Sequence, residues 1–229
     1  MRKTKKFKQI QENYNLNKTF LIEDAVEIVK KLSTSKFDES IDISVQLGID
    51  AKKTDQLVRG VLSLPKGSEK KIRIAVFATG DDIELAKKAG ADVVGGDDLI
   101  EEIKSGKIDF EKCISTPDMM PKVGALGQVL GPKGLMPNPK LGTVTKKIDD
   151  AIKNIKSGQI EFKTDKSGIV HASIGKSSFS VEDIVKNIKY FYQELSKTKP
   201  STSKGIFLKK MYLNSTMGPG LKIDMNSVT

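Results

Sequence analysis

The clearest fold signal lies in residues 72–106, IRIAVFATGDDIELAKKAGADVVGGDDLIEEIKSG. Two apolar runs, 72–78 and 91–94, have the length of buried strands, and each is followed by a stretch of helical period that ends at a glycine. A further short apolar run occupies 113–116. Strands that alternate with helices in this way predict βαβ units around a parallel sheet.

The two ends of the chain follow a different pattern. Residues 41–49 alternate apolar and polar side chains, which is typical of a strand with one buried face. Residues 159–164 and 169–174 have the same period, and the DKSG turn at 165–168 between them predicts a hairpin. One more strand is predicted at 206–213.

Three amphipathic stretches predict helices. Residues 23–32 begin with acids and end with lysines, as the helix dipole favours. A second helix is expected at 148–155, before a Ser-Gly stop. The third begins after Ser180, which is a good N-cap residue, and is stopped by Pro200.

The expected fold class is therefore α/β, in two domains. Residues 1–66 and 159–229 would form a discontinuous α/β domain from both chain ends. Residues 67–158 would form an inserted Rossmann-like, three-layer βαβ domain. The chain would cross between the domains at two hinges, near 64–68 and 157–159, where Pro, Gly and Ser interrupt the pattern.

Charge is distributed unevenly along the 229 residues, whose net charge is +10. Residues 67–158 carry 15 basic and 14 acidic side chains, whereas the flanks together carry 24 and 15. Met1–Lys8 holds five cations and no acid, which predicts a mobile basic arm. The excess on the flanks indicates either a polyanionic partner or a lysine-rich solvated surface.

Few residues in the sequence suggest catalysis. The lone His171 is expected in mid-strand as a structural residue, and the lone Cys113 as a quiet, half-buried thiol in a reducing, intracellular protein. No Cys/His cluster has metal spacing, and no apolar run of about 18 residues predicts a membrane span. The glycines at 124–134 fit neither the dinucleotide fingerprint nor the P-loop, so a nucleotide-dependent enzyme is disfavoured.

Five sequence blocks carry a family resemblance that extends nearly from end to end. The chain closely resembles the bacterial proteins of the ribosomal L-one family, which belong to the mobile stalk of the large subunit. One departure is Lys133, where the family usually has Arg. The blocks are KFDESIDISVQLGIDAKKTDQLVRGVLSLPKG, AKKAGADVVGGDDLIEEIKSG, LGQVLGPKGLMPNPKLGTVT, IEFKTDKSGIVHASIGKSSF and LNSTMGPGLKID.

The resemblance implies that the discontinuous domain is the main RNA binder, in agreement with the charge found there. Lysines and backbone amides would position phosphates, hydroxyls would bond ribose 2′-OH groups, and Phe37 and Met217 would pack on sugar or base. Glu39 would accept from 2′-OH or guanine amino donors. The RNA face carried over by position comprises Lys36, Phe37, Glu39, Ser40, Lys166, Ser167, Gly168, Ser215, Thr216, Met217 and Gly218.

The loop at 131–147, GPKGLMPNPKLGTVTKK, has three Gly, three Pro, four Lys and no acid, so it cannot form a helix or a central strand. Two interpretations stay open. It is either a cationic surface in which Lys133 and Lys140 add secondary RNA or tRNA contacts, or a rigid loop that buries Leu135 and Met136 in its own domain.

The function implied by the resemblance is that of a non-enzymatic ribosomal protein in the cytoplasm, without a cofactor. Its expected partners are large-subunit rRNA, the deacylated tRNA that it helps to leave the exit site, and its own operon mRNA, which it would repress. It is expected to be monomeric off the ribosome and to have no membrane contact. Two alternatives are an enzyme with a nucleotide-binding middle domain and a free translational repressor without ribosomal residence.

Overall fold

The computed structural model describes residues 10, 14, 18–67, 72–203 and 205–228. The expected basic arm, Met1–Lys8, and Ser68 of the first hinge lie outside the described residues. The mixed α/β class is confirmed. Two compact units are present, one built from Met1–Ser68 and Ile160–Thr229, the other from Glu69–Gln159.

The elements follow the chain in this order. The strands are β1 Thr19–Phe20, β2 Ser40–Leu47, β3 Arg59–Ser63, β4 Ile74–Phe77, β5 Val93–Gly95, β6 Lys112–Ser115, β7 Gln159–Lys163, β8 Ile169–Lys176, β9 Leu208–Ser215 and β10 Leu221–Ile223. The helices are α1 Ile22–Leu32, α2 Asp81–Lys88, α3 Asp97–Lys104, α4 Met120–Gly124, α5 Gly127–Leu130, α6 Ile148–Lys156 and α7 Val181–Lys197, with single 3-10 turns at Thr54–Gln56, Pro117–Met119, Pro139–Leu141 and Met225–Ser227.

The first unit is organised around β2. The sheet has the order β1-β10-β9-β2-β8, and β2 is antiparallel to both β8 and β9. Its apolar side chains, Ile41, Ile43, Val45 and Leu47, are buried, and the polar side chains between them are half-buried on the other face. This is the alternation expected of a sheet covered on one face.

Helices α1 and α7 supply that cover. The apolar stripes of both helices join the residues of β2, β8, β9 and β10 in one core. The predicted cap of α7 is confirmed, since the Ser180 hydroxyl accepts from the Asp183 amide at 3.1 Å. Within the same core, the rings of Phe162 and Phe191 meet edge to face with centroids 5.9 Å apart.

The predicted hairpin at 159–174 is wrong in its pairing. The turn forms, with the Gly168 amide donating to the Asp165 carbonyl at 2.9 Å, but β7 and β8 then diverge. Strand β7 pairs with β3, β8 pairs with β2, and only an isolated bridge links Thr164 to Val170. The long alternating β2 offers β8 a better-matched partner than the short β7 does, and the turn sequence carries no information on that competition.

The second unit is a parallel sheet between two helical layers. Strand β4 is fully buried at the centre of the order β5-β4-β6, and both its neighbours run parallel to it. Its alternate side chains point into two cores, one shared with α3, α4 and α5 and the other with α2 and α6. Strands buried on both faces have continuous apolar runs, which is why the sequence pattern predicts them clearly.

The Gly/Pro run 131–147 is mostly irregular, as predicted. It contains the turn Pro139–Leu141, and Val144 makes an isolated parallel bridge to Ser115 at the end of β6. Leu135 and Met136 are half-buried against the second unit's core rather than fully buried, and Lys133 is exposed. The loop therefore packs on its own unit and also presents a cation.

Candidate nucleic-acid interface

Two loops that are far apart in sequence meet at one end of the main sheet. Strand pairing places Ile41 opposite Ser215, which brings residues 35–40 beside residues 215–218. The Ser40 amide donates to the Thr216 hydroxyl, and the Thr216 amide donates to the Ser40 carbonyl, both at 3.0 Å. We refer to these two segments as the paired-loop surface.

A buried carboxylate fastens the two loops to each other. Glu39 is fully buried, and its two oxygens accept from the backbone amides of Ser35 and Met217, each at 3.1 Å. Burial alone would raise the pKa of Glu39, but hydrogen bonds from Ser35 and Met217 outweigh it. The Ser215 hydroxyl beside the carboxylate acts in the same direction, although it makes no hydrogen bond of strict geometry. The pKa is lowered to about 2, so the group is ionised at neutral pH.

Glu39 therefore differs from the expectation of a direct RNA contact. Its oxygens face the protein's own backbone, and no part of the residue reaches solvent. A carboxylate beside a polyanion is unfavourable when exposed, yet here it fixes the loop geometry from inside. Its burial could not be read from the sequence, where it stands in the exposed-looking run KFDES.

Each of the two loops that Glu39 joins exposes one large apolar side chain to solvent. Phe37 is 55% exposed and Met217 is 63% exposed, one on each loop. Lys36 is exposed beside Phe37, and Thr216 is exposed beside Met217. Phe37 and Met217 are therefore accessible to a binding partner on loops whose backbones are already fixed.

Gly218 lies tightly against Ser215 in its loop. A Cβ atom at this position would lie 2.4 Å from the Ser215 hydroxyl oxygen, well inside contact distance. Ser215 is itself buried, at 1% exposure. The sequence identifies both residues through the resemblance, but it does not show that they act on each other.

Asp38 is an anchor that the sequence analysis missed. Its carboxylate accepts from the hydroxyls of Ser177 and Ser178 at 2.8 and 3.0 Å, and Lys176 lies 3.6 Å away. Burial slightly opposes ionisation, but these hydrogen bonds prevail and the pKa of Asp38 is lowered. The first loop is thereby tied to the segment after β8, and only the juxtaposition of KFDES and GKSSF in space reveals it.

The residues Lys166, Ser167 and Gly168 lie at the opposite end of the sheet. Ser40 pairs with Lys176, whereas the amide of Leu47, seven residues along β2, donates to the Gly168 carbonyl at 2.9 Å. At about 3.3 Å per residue, the two ends are roughly 23 Å apart. Lys166 and Ser167 are exposed and Gly168 is buried, so the structure does not bring this turn into the paired-loop surface.

The secondary candidates Lys133 and Lys140 belong to the second unit. Lys133 is exposed beside Gly134, and Lys140 lies in the turn Pro139–Leu141. Both lie in residues 119–148, a stretch that holds five lysines and no acid.

The two residues considered for catalysis have structural surroundings. His171 lies in β8, exposed, with its Nδ1 atom 3.0 Å from the Ser44 hydroxyl. Cys113 is buried, more fully than the half-buried thiol expected, and burial raises its pKa to about 12, so it is not a nucleophile at neutral pH. In the part of the chain that the structure describes, no group of His, Cys, Asp and Glu could hold a metal ion, and no helix is long and apolar enough to cross a membrane.

These features define an α/β protein whose most basic unit displays two conformationally fixed loops. Residues 29–219 match the model of the ribosomal protein L1p/L10e family. The chain is 52% identical to the large ribosomal subunit protein uL1 of Aromatoleum aromaticum and 54% identical to that of Polynucleobacter necessarius, with 98% of this chain and 97% of each relative covered. The chain belongs to the ribosomal protein L1p/L10e family, whose members are structural components of the ribosome and not enzymes.

Proposed function

We propose that this protein is a cytoplasmic component of the large ribosomal subunit and that its paired-loop surface binds rRNA. Family membership and the printed names of its relatives support the ribosomal part. The observation that carries the RNA part is the buried Glu39 carboxylate, which holds together two loops with exposed Phe37 and Met217.

The chemistry of this surface suits ribose and phosphate. Lys36 is exposed and can neutralise and position a phosphate, whereas the amides of Thr216, Met217 and Gly218 already donate to groups of the protein itself. Phe37 and Met217 offer apolar contact to an unstacked base or a sugar. Because hydrogen bonds already fix both loops, little conformational entropy is lost when RNA binds. The flanks that form this unit also hold nearly all the excess positive charge.

The finer roles are part of the same proposal. The rRNA target is the mobile stalk, and the protein assists release of deacylated tRNA from the exit site. It also represses translation of its own operon by binding the messenger with the same surface, so that the two RNAs compete and the tighter one prevails. Release of exit-site tRNA from ribosomes lacking the protein, and expression of a reporter with the operon leader, measure these two roles.

Two further regions would add weaker contacts. Lys166 and Ser167 are exposed at the far end of the sheet, and Lys133 is exposed on the second unit. Lys140 belongs to the same basic stretch. Lysines of this kind contribute mainly to the salt-dependent part of affinity. Off the ribosome, the protein is proposed to be a monomer.

The decisive experiment is a titration of the full-length protein against a fragment of the stalk rRNA at several salt concentrations. We expect the double variant Phe37→Ala/Met217→Ala to bind at least about tenfold more weakly, because base stacking alone is worth about 1–3 kcal/mol per base. The slope of log K against log salt should stay unchanged, since no charge is removed.

Leu85→Ala is the matched control, because Leu85 is 47% exposed but lies in the other unit. It should bind like the wild type. If the double variant also binds like the wild type, the paired-loop surface is not the rRNA site. If wild-type affinity vanishes at moderate salt, the protein is only a nonspecific polycation.

A further inference from the structure

The face of the main sheet opposite α1 and α7 carries polar side chains in ordered rows. In one row, Ser44 of β2 stands opposite His171 of β8 and Tyr212 of β9. In the next, Asp42 stands opposite Ser173 and Asn214. We name this set the open face, and its members His171, Ser173 and Tyr212 are exposed.

The open face is continuous with the paired-loop surface. Side chains two residues apart on a strand share a face, so Ser40 continues the line of Asp42 and Ser44. Thr216 likewise follows Tyr212 and Asn214 on the neighbouring strand, and its hydroxyl bonds to the Ser40 backbone. At the other end, Gln46 stands opposite Lys210, close to where the 165–168 turn meets β2.

The groups on this face are mostly neutral hydrogen-bonding groups. Three hydroxyls, two of them aliphatic, accompany an amide and an imidazole in these rows. The carboxylate in the rows is that of Asp42, and Lys222 of β10, which pairs with Tyr212, adds a cation beside the first row. The Ser44 hydroxyl and His171 Nδ1 lie 3.0 Å apart, and this hydrogen bond fixes the orientation of both side chains in the first row. Exposed large apolar side chains, which a protein partner would require, are limited here to Tyr212, at 36% exposure.

We propose that the open face binds the shallow minor groove of an RNA helix, with its hydroxyl and amide groups bonded to ribose 2′-OH groups. This inference rests on the proposed rRNA binding and specifies a second part of that surface. The wide minor groove of A-form RNA displays 2′-hydroxyls and base edges, which neutral donors and acceptors recognise. A surface along β2 would join the paired loops to Lys166 and Lys210 over roughly 23 Å.

The test removes two hydroxyls without removing charge or bulk. Ser173→Ala/Tyr212→Phe is compared with Tyr190→Phe/Ser196→Ala, a pair of the same chemistry on α7, which covers the opposite face. Each protein is titrated against the stalk rRNA fragment, and against the same fragment with 2′-deoxy residues in its helical part. We expect about tenfold weaker binding for the open-face variant, since each lost hydrogen bond reduces affinity several-fold.

Two further results are expected. The salt slope should not change, and deoxy substitution should weaken the wild type more than the open-face variant, because the variant has already lost the groups that recognise 2′-OH. If the open-face variant binds like the wild type while Phe37→Ala/Met217→Ala is impaired, this inference is wrong and the proposed function stands. If both variants bind normally, the proposed function fails as well. An equal loss in the α7 control would assign the effect to stability and also overturn the inference.

Discussion

At the scale of single residues, Glu39 links stability to the geometry of the candidate site. An ionised carboxylate with no exposed surface is tolerated only when hydrogen bonds replace its water. Here the replacements are backbone amides of the two loops that it joins. The ionised form therefore stabilises the same arrangement that exposes Phe37 and Met217.

Stability should depend on pH through this group. Its folded pKa, about 2, is below its ordinary 4.5, so the unfolded chain takes up a proton first as pH falls. The stabilisation is present above pH 4.5 and is lost as pH falls towards 2; it amounts to about 3 kcal/mol. Urea unfolding at pH 7 should show Glu39→Gln less stable than the wild type, and the difference should shrink greatly by pH 3.

The control for this measurement is Glu101→Gln, since Glu101 is exposed on α3. Because substitutions of exposed side chains usually change stability by less than about 0.5 kcal/mol, its free energy of unfolding at pH 7 should stay close to that of the wild type. A gap between Glu39→Gln and the wild type that stays constant from pH 7 to 3 would contradict the assignment.

At this scale the sequence predicted which side chains are exposed, but not which ones anchor the loops. Exposure of Lys36, Phe37 and Met217 agrees with the resemblance, because side chains that contact RNA must reach solvent. The inward position of Glu39 and the anchoring by Asp38 were not predictable. Both depend on which backbone amides and hydroxyls surround a carboxylate, and residues more than 130 positions away provide some of them.

At the scale of elements, the turn between β9 and β10 sets the second loop. Its course brings Gly218 against the Ser215 hydroxyl, so the turn tolerates no side chain there without displacement. Gly220 lies in the same turn, but a Cβ atom added to it would meet no other atom within 4 Å, and its backbone is not left-handed.

Gly218→Ala should destabilise the protein by about 1–2 kcal/mol, as overpacked sites do. Ser215→Ala should relieve most of this cost in the double variant, because the obstructing oxygen is removed. Gly220→Ala should change stability by less than about 0.5 kcal/mol. Urea denaturation of the single and double variants checks the cycle, and an additive double variant would show that the clash is not between these two residues.

The elements themselves were predictable where their periods were strong, as for α1, β2, α7 and the β4–β6 sheet. The hairpin failed because a turn motif reports local chain reversal but not which strands remain paired. Thr164 illustrates this: its amide and hydroxyl both donate to the Val58 carbonyl, which draws β7 towards β3.

At the scale of the whole molecule, the first unit is complete without the second. Among the residues that the structure describes, its core draws only on those before Ser68 and after Gln159. Val58, just before β3, bonds to Thr164, just after β7, and Gly60 packs against the Phe162 ring, so the two strands run antiparallel. The chain therefore leaves this unit after Ser63 close to where it returns at Gln159.

A variant in which a short Gly/Ser linker replaces residues 68–158 should fold cooperatively. It should bind the stalk rRNA fragment with an affinity within about tenfold of that of the full chain. The entropy of closing a loop changes only slowly with its length, so shortening this connection should alter the stability of the first unit little. Circular dichroism and the salt titration measure both properties. An unfolded or non-binding product would show that the first unit needs the insert. Gly124→Ala in the full chain is the mild control in the deleted unit, because a Cβ atom there would meet no other atom within 4 Å.

The central position of β2 has a consequence for synthesis. Both strands that pair with it come from the far end of the chain, at Ile169–Lys176 and Leu208–Ser215. At about 5–20 residues per second, β2 leaves the peptidyl-transferase centre roughly 6–30 s before its partners exist. The inserted unit, Glu69–Gln159, is by then fully synthesised, so it is available to fold before the first unit is complete. Strand β2, which has one apolar face, stays without either partner until more than 120 further residues have been added.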